Sequence, residues 1–184
     1  MKFASSFLSA ALASVIPIYS TPGVTTVSDV ESDIATIISR TRALQKALSS
    51  FPDTGGSLTM ALSIHLDVVN LRASLDKGSA RVKRVQPLPV SLEDAERILE
   101  AIKFVKPIII SALEQIILKK TAFESVASGV ATSIIKRDLD GLNAGISDMG
   151  SAIIAFSPPE LVKVGNEIKA EIDAAMELAL KAYN

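Results

Sequence analysis

The chain has 184 residues, 48% of them hydrophobic but only 4% aromatic, with a mean hydropathy of +0.38 and a formal net charge of −1. That balance leaves no basic field or aromatic platform for nucleic acid, and the absence of cysteine excludes disulfides and thiolate metal sites. The length suits one domain plus a targeting segment, and an apolar mass of Ala, Val, Ile and Leu suits helix packing better than a β-sandwich.

In chain order, Met1–Ala13 reads as a secretory signal: Lys2 is a minimal positive start, Phe3–Leu12 is a short apolar stretch, and Ala11-Leu12-Ala13 offers small residues to a signal peptidase. A second possible cut follows Ser20, so residues 1–20 are expected to be removed by cleavage between 13 and 20, leaving a domain over 21–184. The competing reading is an amphipathic N-terminal helix of a cytosolic protein. No later segment has the roughly 18–20 apolar residues of a membrane span, since Val105–Leu118 is interrupted by Lys106, Glu114 and Gln115. The ending LALKAYN lacks the pattern of a lipid-glycan anchor, and no asparagine starts an N-x-Ser/Thr sequon. The expectation is a freely secreted, extracellular protein.

The first helix is predicted from about Ser28 to Phe51, where Val27, Val30, Ile34, Ile37, Thr41, Leu44, Leu48 and Phe51 alternate three- and four-residue steps. Asp29, Glu31 and Asp33 lie early and Arg40, Arg42 and Lys46 later, as the helix dipole favours. A second helix spans about Ser57–Val82. At 100° per residue Ile64, Val68, Leu71 and Leu75 form one apolar row and Leu58, Leu62, Leu66, Val69 and Ala73 another. Ala61, His65 and Arg72 lie between the rows, so the only histidine and one arginine are expected to point inward or into a seam. Each then either pairs with a carboxylate or carbonyl of a neighbouring helix, as buried charges usually do, or meets the polar head of a bound molecule.

Arg81–Val90 is a linker, its basic cluster read as solvated surface. Ser91, with Asp94 three residues on, predicts a capping box opening a third helix that ends near Lys119-Lys120. Its apolar stripe gives way after Pro107 to Ile108-Ile109-Ile110 and an apolar surface on nearly every side. A kink at Pro107 and enclosure of the second half follow as expectations. This is the central helix of the reading, a wall for either an apolar cavity or a solid core. A fourth helix runs from about Glu124 to Phe156, with Gly129, Gly141, Gly145 and Gly150 signalling close backbone approach, open space or a break near Gly141. Ser157 is expected to cap a fifth helix with Pro158 at its first position, continuing to Tyr183. The architecture is an all-α, up-and-down five-helix bundle with a kinked central helix.

Catalytic constellations are hard to build from these residues. A Ser-His-Asp triad would need His65, and no Gly-x-Ser-x-Gly elbow exists. One histidine and no cysteine leave no familiar metal-binding spacing, and no glycine-rich loop follows a strand. The chain is therefore read as a non-enzyme without cofactor or metal.

Several features together resemble the hydrophobic surface binding protein A family, the fungal cell-wall galactomannoproteins: Val30-x-x-Asp33-Ile34, Ser91-x-x-Asp94-Ala95, Pro107 with the Ile-rich run after it, Lys119-Lys120-x-x-Phe123 and the closing Ala182-Tyr183. The resemblance covers about Val24–Tyr183. It implies a secreted five-helix fold that adsorbs to hydrophobic surfaces, some relatives holding fatty acids between the helices, with cell-wall polysaccharide a further candidate partner. This sequence does not show the Ser/Thr-rich tail and anchor signal of wall-bound relatives, so covalent attachment to the wall is not expected. On this reading an acyl chain lies among the second, third and fourth helices. Its wall would be Leu62, Leu66, Val69, Val105, Ile108, Ile109, Ala112, Leu113, Ile116, Leu142, Ile146, Met149 and Ile153. His65, Arg72, Ser111 and Gln115 are the candidates for its head group. Two other readings stand beside it: a surface-active protein whose bundle opens on an apolar solid, and an extracellular structural protein or antigen with a solid core.

Overall fold

The computed structural model describes residues 25–184, so the expected signal segment lies outside the described residues. Five long helices carry the fold: α1 Val27–Ser50, α2 Leu58–Val82, α3 Leu92–Leu118, α5 Val130–Phe156 and α6 Pro159–Tyr183, with a short α4, Lys120–Ser125, between α3 and α5. No strand forms among the described residues beyond a Thr25–Val85 bridge.

Local chemistry fixes most of the helix starts. Thr26 caps α1 in a full capping box: Asp29 N–H donates to its hydroxyl (3.2 Å) and its own N–H donates to the Asp29 carboxylate (3.0 Å). Ser57 caps α2 and Ser91 caps α3 by accepting from Asp94 N–H (3.1 Å). The Asp94 carboxylate instead accepts from the Ser91 hydroxyl (2.7 Å), so only half of the expected box forms. Ser157 belongs to the end of α5 rather than the start of α6. Its hydroxyl donates to the Ile153 carbonyl (2.8 Å), while Pro158 is the α6 N-cap.

The expected fourth helix is divided. α5 is unbroken through Gly141, and the break lies earlier, at Val126–Gly129. There Ala127 (φ 50°), Ser128 (φ 55°) and Gly129 (φ 87°) adopt left-handed backbone, which disfavours the two non-glycine residues by roughly 1–2 kcal/mol each. The compensation is tertiary. Phe123 of α4 is fully buried and stacks on Phe51 with ring centroids 4.4 Å apart, closing one end of the bundle and turning the chain. Lys119 Nζ, 2.5 Å from the Asp53 carboxylate, ties the same corner.

Cross-helix bonds give the directions. α1 and α2 are antiparallel, with Asp33 of α1 buried 3.0 Å from Lys77 and 3.1 Å from Arg81 near the end of α2. α2 and α5 run parallel, joined by His65–Asp138, Arg72–Gly141 and Ser79–Asp148. α1 and α3 run parallel through Glu31–Arg97 and Gln45–Ser111, and α3 and α6 through Lys106–Glu171 and Ile116–Tyr183. Successive long helices thus alternate up and down, but packing neighbours follow the closed order α1, α2, α5, α6, α3. α3 lies between α1 and α6 rather than against α2. It is one stave of this ring, so its second half is not enclosed on most sides: Ile108, Ile109 and Ile110 are half-buried and Leu118 is 76% exposed. Pro107 is exposed within α3 and deprives the Lys103 carbonyl of its helical donor.

The α5 glycines answer to different neighbours. A Cβ on Gly145 would sit 2.9 Å from Arg72 Cδ and 3.4 Å from Leu75 Cβ, whereas one on Gly150 would meet nothing nearer than Lys169 Cδ at 3.5 Å. Gly150→Ala is therefore expected to raise stability by roughly 0.5–1 kcal/mol, the gain of alanine over glycine inside a helix. Gly145→Ala should lose that gain to the displaced arginine. Chemical denaturation of both variants checks the contrast, and equal shifts would contradict it.

Candidate functional site

An apolar cavity of about 80 Å³ lies inside the ring where α1, α3, α5 and α6 face one another. Ile34 and Ile37 come from α1, Leu99, Ile102, Val105 and Ile109 from α3, Ile146, Met149 and Ile153 from α5, and Ile168 and Ile172 from α6, with Leu75 of α2 at the back. A second space of about 30 Å³ continues toward Leu113, Ile116 and Met176 and shares Ile37, Leu75, Ile109 and Ile146 with the first. Branched side chains from facing helices thus leave a small apolar space unfilled inside the ring.

The two spaces together are smaller than the ~150 Å³ cavity that holds a benzene ring. A longer apolar chain therefore enters only if the wall gives way. The weakest wall is the first half of α6. Ile168 and Ile172 pack with Leu99 in a small cluster that meets the main core only through the partly buried Ile102, Ile109, Ile146 and Leu161, while Met176, Ala179 and Tyr183 fix the far half of the helix in that core. Tyr183 also donates its hydroxyl to the Ile116 carbonyl (2.8 Å), and burial pushes its phenol pKa up. Local opening favours segments with few buried apolar contacts, which describes the start of α6 and not its end.

Of the residues the sequence proposed for the wall, Val105, Ile109, Ile146, Met149 and Ile153 line the larger space. Ile109, Ala112, Leu113, Ile116, Leu142 and Ile146 border the smaller one. Ile108 lines neither. Leu62, Leu66 and Val69 are corrected outright: they are 41%, 59% and 48% exposed and form, with Leu58, an apolar row on the outer face of α2. The wheel could not decide between two apolar rows, and only the row facing both α1 and α5 is buried. The α1 and α6 contributions were missed although their seams were legible, because nothing in a seam says which helix faces which.

None of the four head-group candidates reaches the cavity wall. His65 Nδ1 lies 2.9 and 3.0 Å from the two Asp138 carboxylate oxygens on α5. Burial, the larger effect, raises the Asp138 pKa, and the histidine pulls it the other way. Arg72 donates from Nε to Asp76 (2.8 Å) and from its guanidinium to the Gly141 carbonyl. Ser111 accepts from Gln45 Nε2 (3.0 Å), and Gln115 is half-buried on α3 outside the wall. The pairing account of His65 and Arg72 is the one the geometry fits.

The wall carries one charged residue, Lys169 of α6, whose stem crosses Gly150 of α5 and whose Nζ lies 2.6 Å from Asp173 Oδ2. The sequence did not single it out, because a lysine amid Ile168 and Ile172 gives no local sign of facing an apolar wall. Outside this ion pair Asn143, Ser147, Asp148 and Ser151 of α5 and Asp173 of α6 line a shallow polar concavity. Among the described residues no cluster of side chains suits a metal ion, and no helix is long and apolar enough to cross a membrane.

A family model described as hydrophobic surface binding protein A matches residues 27–155. No curated protein sequence matches the chain. The fold is similar to that of AFMP4P solved in complex with palmitic acid, at 21% identity and a TM-score of 0.78, covering 86% of this chain and 100% of that one. It is also similar to ligand binding domain 1 of the Penicillium marneffei MP1 protein complexed with arachidonic acids, at 16% identity and a TM-score of 0.75, covering 86% and 99%. Ligand binding domain 2 of that protein, complexed with multiple arachidonic acids, matches at 15% identity and a TM-score of 0.75, covering 86% and 96%. Of the residues that carry the family resemblance, Val30, Asp33, Ala95, Phe123 and Tyr183 are buried away from the cavity, while Ile34 and Ile109 are on its wall.

Proposed function

Because this chain belongs to the hydrophobic surface binding protein A family, we propose that it is a secreted binding protein, not an enzyme, that encloses one acyl chain of a fatty acid between α1, α3, α5 and α6. The observation that carries this reading is the unfilled, almost wholly apolar space inside the ring. It is supported by the fatty acids held by solved proteins of the same fold. Each methylene moved from water into such a wall contributes about 0.8 kcal/mol, so a long chain has ample drive to separate the start of α6 from α3 and α5. Residues 1–20 are the signal that exports the domain over 21–184. Native mass spectrometry of protein recovered from culture medium tests both halves of the proposal. The expected mass begins between Ser14 and Thr21 and carries one co-purified lipid. An intact Met1 on the exported form would remove the signal peptide, and failure to take up added palmitic acid would remove the fatty-acid site.

A second reading has its own observation. The exposed row Leu58, Leu62, Leu66 and Val69 on α2 offers an apolar strip already on the surface, suited to adsorption on a hydrophobic solid without opening the ring. Such binding scales with surface area, where the cavity saturates at one chain per protein.

A further inference from the structure

We propose that Lys169 is the head-group anchor of this site: the carboxylate of a single-chain fatty acid lies at the seam of α5 and α6 against Lys169 Nζ, with its tail in the apolar cavity. The inference rests on the fatty-acid reading above and goes beyond it by naming where the charge sits and which way the chain points.

The difficulty for any fatty acid in this ring is its charged end. A carboxylate left desolvated and unpaired would cancel the gain from several buried methylenes. It must lie where the apolar wall meets a donor and water. Lys169 marks such a border. Its stem is part of the cavity wall and crosses the seam over Gly150, lying 3.5 to 3.7 Å from where a Gly150 Cβ would be, an ordinary van der Waals contact. Its ammonium emerges 2.6 Å from Asp173 Oδ2, and Asp173 is itself on the rim of the polar concavity where Ser147 and Ser151 supply hydroxyls. Apolar space, cation and polar shelf thus adjoin one another at the α5–α6 seam.

Two further observations favour this end of the molecule. The first half of α6, which carries Lys169, is also the wall least tied to the main core, so the group that receives the head lies on the element that must move. The other cation near this face, Lys106 of α3, is held 2.6 Å from Glu171 and is not on the wall. An ammonium has three donors, so Lys169 can keep Asp173 and donate to a ligand carboxylate as well. Asp173 is then a competitor: its negative charge repels the incoming head group and occupies one donor.

That competition gives a test with opposite signs. Palmitic acid and hexadecanol, its neutral counterpart of equal chain length, are titrated against the wild-type protein, Lys169→Met and Asp173→Asn. Methionine keeps an apolar stem without the charge. Lys169→Met is expected to weaken palmitic acid roughly tenfold and leave hexadecanol unchanged, the scale of a partly solvated charge-assisted hydrogen bond. Asp173→Asn is expected to tighten palmitic acid severalfold. If the pair only staples one turn of α6 to the next, both variants shift both ligands in the same direction, and the proposal is overturned. It is equally overturned if palmitic acid binds Lys169→Met as it binds the wild type, a result that leaves the cavity reading standing. Wild-type protein that binds neither probe defeats the cavity reading itself.

Discussion

Ile146→Phe is expected to lower fatty-acid affinity more than tenfold while leaving the protein at least as stable. Ile146 borders both apolar spaces, the only α5 residue to do so, and a larger ring there fills the passage between them. The unfilled 80 Å³ costs about 2 kcal/mol at the ~24 cal/mol per Å³ found for engineered cavities, so occupying part of it offsets the strain of a larger side chain. For the ligand the same substitution is a loss. Two methylenes kept out of the cavity forfeit about 1.6 kcal/mol, more than a factor of ten. Leu66→Ser is the matched control: it cuts the exposed row on α2, which should reduce adsorption to an apolar solid and leave one-to-one binding intact. A folded Ile146→Phe protein with wild-type affinity would place the acyl chain elsewhere.

The largest stability effect is expected from Phe123→Ala, at about 3–5 kcal/mol, the usual range for emptying a fully buried phenylalanine site. The number is large because Phe123 does two things. It buries its own ring against Phe51, and it fastens α4 over the end of the bundle so that Val126–Gly129 can hold left-handed backbone. At roughly 2–4 °C per kcal/mol for a chain of this size, the melting temperature should fall by on the order of 10 °C. Phe51→Ala should cost nearly as much, and the double variant less than the sum, because each single change leaves the other ring without its partner. A loss below about 1 kcal/mol would mean that α4 docks by something other than this stack.

Helix existence and helix faces were legible because they follow from local chemistry. The Ser91 cap, the prolines at the start of α6 and the three-and-four spacing each act within a turn or two, so a single sequence displays them. The α1 seam Val30, Ile34, Ile37, Thr41, Leu44 and Leu48 is buried throughout. The break at Val126–Gly129 was not legible. Gly129 is its one local sign, and the residues that impose it, Phe51 and Phe123, meet across 72 positions of sequence.

What the sequence by itself determined is therefore the set of five amphipathic helices, their family and the aliphatic character of whatever they enclose. What only the tertiary structure decided is the order of the ring: α3 between α1 and α6, and α5 between α2 and α6. That order moved the cavity wall off the outer row of α2 and onto α1 and α6. It also turned His65 and Arg72 into ties to α5 and brought Lys169 across Gly150 to the cavity's edge. The physical reason is that an apolar row records only that some partner covers it. Hydrophobic burial is non-directional, so which partner does so is settled by how all five helices close together.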